Sequence, residues 1–151
     1  MIIEIEYANP RHSGITSLLG QSHDLMRSLF PAEDNHFLSI DALSYPTVHF
    51  IAARVDGVYR ACGAVKHVDD YCEIKSMFTD PDARGLGLAD RILTQLETIS
   101  HDLDARFTRL ETGVGLDAAH RLYHRHGFVN CGPFGDYTAS PYSIFMEKHL
   151  R

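Results

Sequence analysis

Two glycines lie one residue apart in the run Arg84-Gly85-Leu86-Gly87-Leu88-Ala89, with a strand pattern before them and an amphipathic helix pattern after them. Glycines at such a junction let the backbone approach a ligand and turn its N–H groups outward. The helix N-terminus adds unpaired donors and partial positive charge, so the junction suits a pyrophosphate. Two familiar phosphate loops are excluded. A P-loop needs Lys followed by Ser or Thr after its last glycine, and neither follows here. The dinucleotide fingerprint needs a small residue where this chain has Asp90. On the loop alone, a glycine-rich turn without a ligand remains the alternative.

The rest of the chain supplies a sheet and helices around that junction. Ile2–Tyr7 alternates apolar and acidic residues and reads as a half-buried strand. Ile15, Leu18, Leu19, Leu25, Met26 and Leu29 follow helical spacing, and Pro31 closes that helix. A short second helix is predicted over Phe37–Leu43. Strands are predicted over Thr47–Val55 and Val58–Val68, joined by the hairpin signal Asp56-Gly57. A third strand, Tyr71–Thr79, ends at Asp80-Pro81. Leu88–Ser100 places Leu88, Ala89, Ile92, Leu93, Leu96 and Ile99 on one stripe. Phe107–Thr112 reads as a strand and Asp117–His126 as a helix, with Gly127 at its C-terminal cap. Phe128–Cys131 and Tyr142–Lys148 complete the chain as strands. The order β-α-α-β-β-β-α-β-α-β-β predicts a mixed α/β fold, with a mostly antiparallel sheet and helices on both faces.

At 151 residues the chain is expected to form one domain over residues 1–151. Its net charge is −6 and no basic run occurs, which argues against nucleic acid as a partner. No apolar run approaches the roughly 20 residues that span a bilayer. No signal-peptide pattern is evident, and Cys62, Cys72 and Cys131 are scattered and odd in number. Buried free thiols in a reducing cytoplasm are therefore expected. His120 and His124 have metal-ligand spacing and His126 follows, but Asp117 is the sole close carboxylate, so no metal is expected. Ser22-His23-Asp24 is a sequential run, whereas triad members meet in space.

The motif Arg84-x-x-Gly87-x-Ala89 resembles the pyrophosphate-binding signature of the GNAT superfamily of acyl-CoA-dependent N-acyltransferases. Its flanks agree. Glu73 through Pro81 is similar to that family's fourth strand and its exit. Ala119-x-x-Leu122-Tyr123-x-x-x-Gly127-Phe128 is similar to a later motif. Leu110-Glu111-Thr112-Gly113 and Pro133-Phe134-Gly135-Asp136-Tyr137 recur in a bacterial branch of small members. The likeness covers roughly residues 47–149.

The resemblance implies a splayed sheet in a single N-acetyltransferase domain, acetyl-CoA as co-substrate and direct transfer of acetyl to a primary amine. The acceptor would be a small amine or amino acid derivative. A protein Nα- or Lys-acetyltransferase, or a CoA-binding module without catalysis, is the alternative. Family members often dimerise, and no residue here decides whether this chain does. Met77 and Phe78 would hold the pantetheine arm through their backbone, and Arg84, Gly85, Leu86, Gly87, Leu88 and Ala89 would cradle the pyrophosphate. Tyr123 would be the general acid, since a phenol is protonated at neutral pH. Glu73 would be the base, with Glu111 or water alone as alternatives. Glu73, Lys75 and Met77 are expected on one strand face, where Lys75 would pair with Glu73. Leu116 stands where members often carry an Asn that bonds pantetheine.

Overall fold

The computed structural model describes residues 1–150. Its elements follow the predicted order. The strands are β1 (Ile3–Tyr7), β2 (Val48–Val55), β3 (Val58–Val68), β4 (Tyr71–Thr79), β5 (Phe107–Gly113), β6 (Val129–Cys131) and β7 (Ser143–His149). The helices are α1 (Ser13–Leu29), α2 (Ile40–Leu43), α3 (Leu88–Asp102) and α4 (Asp117–Arg125). One sheet of seven strands runs β1-β2-β3-β4-β5-β7-β6. Only β4 and β5 are parallel, joined by the crossover through α3. Asp56 and Gly57 both take positive φ, as a two-residue hairpin turn between twisted strands requires.

Two apolar clusters cover the two faces. Leu88, Ile92, Leu93, Leu96 and Ile99 of α3 pack on Ala61, Val65 and Ile74, and Leu122 and Tyr123 of α4 join them. On the other face Ile15 and Leu19 of α1 pack with Leu43, Phe50, Cys62 and Ala64. Each fully buried Leu or Ile contributes roughly 1.5–3 kcal/mol. Cys62 and Cys72 are buried free thiols, and Cys131 is half-buried. No helix among the described residues is long and apolar enough to cross a membrane.

The second helix is shorter than the periodicity predicts. Ser39 caps it by accepting from the Ala42 amide at 3.1 Å, so the helix spans Ile40–Leu43. The His36 carbonyl, which would open a longer helix, accepts instead from the Lys75 ammonium at 2.9 Å. Phe37 stacks on His23 with ring centroids 4.0 Å apart. Tertiary contacts thus outcompete local helix propensity over 37–39.

A bulge in β4 corrects the expected strand face. Lys75 pairs with Ala64 and Phe78 with Cys62, so Ser76 and Met77 together oppose the single residue Gly63. Ser76 takes φ 57° at that point. The extra residue reverses the alternation beyond it. Lys75 and Phe78 therefore face α1, while Met77 turns to the α3 side. There its sulfur and Ile92 fill the space that a side chain on Gly63 would need. Met77 is not on the face of Glu73 and Lys75.

The same strand parts from its neighbour. β4 and β5 pair through Tyr71–Phe107, Cys72–Thr108 and Glu73–Arg109 only. β4 continues to Thr79 and β5 to Gly113 without further pairing to each other, so the sheet opens into a V between them.

Candidate active site

The glycine loop forms one wall of a cleft of about 750 Å³ that runs along the open V. Asp80 sets its entry by accepting from the Asp82 amide at 3.0 Å and from Arg60 at 2.9 Å. Those bonds, the amide first, hold the Asp80 carboxyl below its ordinary range. Gly85 and Gly87 take φ 83° and 72°, and a Cβ on either would meet open space. Gly87 caps α3 without any side-chain bond to the first turn. An uncapped helix start behind open glycines fits a diphosphate. Arg84, Leu88 and Ala89 line the cleft beside Met77 and Phe78. Leu86 does not line it and packs against the α3 cluster as an anchor for the loop.

Across the cleft, Asp90 of α3 binds Arg125 at 2.8 and 3.1 Å and His126 at 2.9 Å. Burial works against the ionised Asp90, but these partners outweigh it and hold its carboxyl low. The position that breaks the dinucleotide fingerprint therefore ties α3 to α4.

A second, smaller cavity of about 140 Å³ adjoins the first. Both are lined by Met26, Met77, Leu116, Ala119 and Tyr123. One wall of the smaller cavity is Met26 and Phe30 at the end of α1 with the following stretch Asp34–Phe37. The other is Glu111–Gly113 of β5. The Phe30 ring lies so close to Gly113 that a Cβ there would sit 2.1 Å from Cζ. Only glycine permits that approach.

Tyr123 stands at the junction, 6% exposed. Its phenol is pushed above the usual value, first by burial and then by the charge of Glu111. Burial also raises the Glu111 carboxyl to about 7, with Lys75 pulling the other way. A carboxyl that ionises near neutrality thus lines the smaller cavity, and a phenol that stays protonated stands where the two cavities meet.

Glu73 is placed differently from Glu111. It is 7% exposed and is absent from the lining of both cavities. Its Oε2 accepts from Lys75 Nζ at 3.1 Å and from Tyr137 Oη at 2.5 Å. Lys75 also donates to Tyr137 Oη at 2.9 Å. The expected Lys75–Glu73 pair is present, and it commits Glu73 to a buried network. Lys75→Met leaves that carboxylate without its cation. The expected loss is about 3–5 kcal/mol of unfolding free energy, measured by chemical denaturation.

The remaining candidates have local partners. His120 bonds the Gly113 carbonyl at 2.8 Å, His124 meets Asn130 at 3.2 Å and His126 meets Asp90. Leu116 occupies the N-cap of α4 with no side-chain bond and lines both cavities. Sequence reasoning missed the α1 wall. Leu25 and Leu29 are 38% and 48% exposed despite their helical spacing. An apolar stripe longer than its core contacts was the available signal. Asp34 and Tyr142 carried no sequence signal.

The model of the acetyltransferase (GNAT) family matches residues 19–128. A curated relative, the IAA acetyltransferase of Azospirillum brasilense, is 35% identical over 150 residues, covering 98% of each chain. A structure from Klebsiella pneumoniae described as an acyl-CoA N-acyltransferase superposes with TM-score 0.84 at 30% identity, over 99% of each chain. The PaiA N-acetyltransferase of Thermoplasma acidophilum, solved with coenzyme A, shares the fold at TM-score 0.77 and 15% identity. That match covers 99% of this chain and 100% of that one. The chain belongs to the GNAT family and is an acyl-CoA-dependent N-acetyltransferase.

Proposed function

We propose that the chain, acting as one domain, moves acetyl from acetyl-CoA directly to the amine of a small molecule. Glu111 is the base and Tyr123 the acid in this reading. The observation that carries it is the junction, where a cleft behind the glycine loop meets a smaller pocket at Tyr123. A pocket of about 140 Å³ walled by Phe30 and Tyr142 suits a compact acceptor better than a peptide.

Acetyl-CoA supplies an acyl group activated as a thioester. The chain's residues do the rest. The loop from Arg84 to Ala89 binds the diphosphate through backbone N–H groups and the α3 dipole. β4 has no β5 partner beyond Glu73, so backbone groups of Met77 and Phe78 are available to the pantetheine arm and the thioester oxygen. Glu111 accepts a proton from the bound ammonium, directly or through water. An alkyl ammonium titrates near 10, so a base near 7 faces a gap of about 3 units, or about 4 kcal/mol. A carboxylate at its ordinary 4.5 would face roughly twice that. The nitrogen bonds the acyl carbon, the carbon–sulfur bond breaks, and Tyr123 Oη protonates the leaving sulfur. The amine loses two protons over the cycle. One ends on the thiol, by way of Tyr123, and the other passes through Glu111 to solvent.

Binding is tested by thermal shift with acetyl-CoA. A ligand at 100 times its Kd stabilises by about 2.7 kcal/mol. Gly87→Glu puts a carboxylate into the open space of the loop and should abolish that shift. A normal shift in the variant would remove the loop from the diphosphate site.

A further inference from the structure

The acceptor pocket narrows the substrate, and this step rests on the acetyl-transfer reading above. Two carboxylates line the pocket from different walls, Glu111 on β5 and Asp34 on the turn after α1. Neither has an ion-pair partner among the described residues. Asp34 accepts one bond, from the Ser140 hydroxyl. Among the described residues, Lys75 is the only Lys or Arg on the lining. An ammonium has three donors, and Lys75 spends all three, on the His36 carbonyl, Tyr137 and Glu73. The His36 ring lies edge-on against Tyr137, with centroids 5.1 Å apart. Among the described residues, no permanent cation on the lining is therefore free to receive a carboxylate on the substrate.

The pocket is built for positive charge instead. Asp34 and Glu111 repel each other across it, and a cationic guest relieves that repulsion. Phe30 and Tyr142 supply aromatic wall, and aromatic ring faces attract ammonium groups. A second observation points to a bound guest. The Tyr123 side chain is more than nine-tenths buried and lines the pocket, yet no described residue hydrogen-bonds its hydroxyl.

We propose that the acceptor is a short diamine without a carboxylate. One nitrogen lies between Glu111 and Tyr123 and takes the acetyl group. The other stays protonated and pairs with Asp34. Asp34 is then the residue that determines specificity.

The test compares four amines by thiol release from acetyl-CoA with the full-length enzyme. Terminal diaminopropane, propylamine and β-alanine share a three-carbon chain and differ in the far group, which is ammonium, methyl or carboxylate. Phenethylamine probes the aromatic wall alone. The expected kcat/KM for diaminopropane is about 10-fold or more above propylamine, the scale of one charge-assisted hydrogen bond. β-Alanine should be the poorest. Asp34→Asn should collapse the diamine-to-propylamine ratio towards one. Ser140→Ala removes the bond Asp34 accepts, keeps its charge, and should preserve the ratio. Turnover of β-alanine, propylamine or phenethylamine equal to that of the diamine overturns the diamine assignment and leaves acetyl transfer standing. A ratio unchanged in folded Asp34→Asn does the same. No thiol release with any of the four, while acetyl-CoA still binds, overturns both.

Discussion

Tyr123→Phe is expected to lower kcat by about 10²–10⁴-fold while leaving acetyl-CoA affinity and folding stability nearly unchanged. Only a hydroxyl is lost. The ring keeps its edge contact with Phe128, whose centroid lies 5.8 Å away, and its place in the α3–α4 cluster. Burial and the Glu111 charge hold the phenol protonated through the neutral range, so every enzyme molecule enters the reaction with its proton on Oη. A thiolate expelled at the junction of the two cavities needs a proton there, and Tyr123 lines both. The check is kcat against Kd, with the melting temperature as control. A stable variant with unchanged turnover, measured where chemistry limits the rate, would return Tyr123 to a packing role.

Glu111→Gln should produce two signatures of opposite sign. In activity, the acidic limb of kcat/KM, expected near pH 7 in the wild type, should vanish together with most of the rate. In stability, the variant should gain. The folded carboxyl titrates at about 7 against an ordinary 4.5, so the folded state binds more protons between those values. Wild-type stability therefore falls as pH rises through that window. A shift of about 2.5 units bounds the cost at about 3 kcal/mol above pH 7, with none below about 4.5. The substitution removes that cost, so its advantage in melting temperature should be present at pH 8 and absent at pH 4. Lys75→Met behaves oppositely, since it strips a buried carboxylate of its partner. A Glu111→Gln variant that is less stable than wild type at pH 8 would show that the carboxylate is not held at a cost. It would lose its claim to be the base.

Features that depend on adjacent residues were legible in the sequence. The glycine loop, the α3 stripe and the succession of elements along the chain are set by local chemistry, and the element order of the structure matches the prediction. Features set by residues far apart in the chain were not. The positive φ of Ser76 and the shifted register at Gly63 follow from how β3 meets β4, and no turn signal marks them. A two-residue period therefore put Met77 on the wrong face. The same limit explains the two carboxylates. Glu73 and Glu111 are both flanked by strand residues, and only the tertiary placement of Tyr137 and Lys75 commits one of them to a buried network. Tyr137 belonged to a legible motif, but its 64-residue reach to Glu73 did not show in the sequence. The acceptor wall from Met26 to Phe37 became a wall because α1 runs past the core that its first three turns fill.

Direct transfer to an amine at the Tyr123 junction is the central claim, and product analysis of one reaction tests it most directly. The enzyme is mixed with acetyl-CoA and terminal diaminopropane, and free thiol, N-acetylated amine and protein mass are followed together. The account predicts equal amounts of thiol and acetylated amine, no acetyl group on the protein at any time, and no thiol release when the amine is omitted. An acetylated protein that forms before the amine is added, or thiol release accompanied by acetate instead of the acetylated amine, would contradict it.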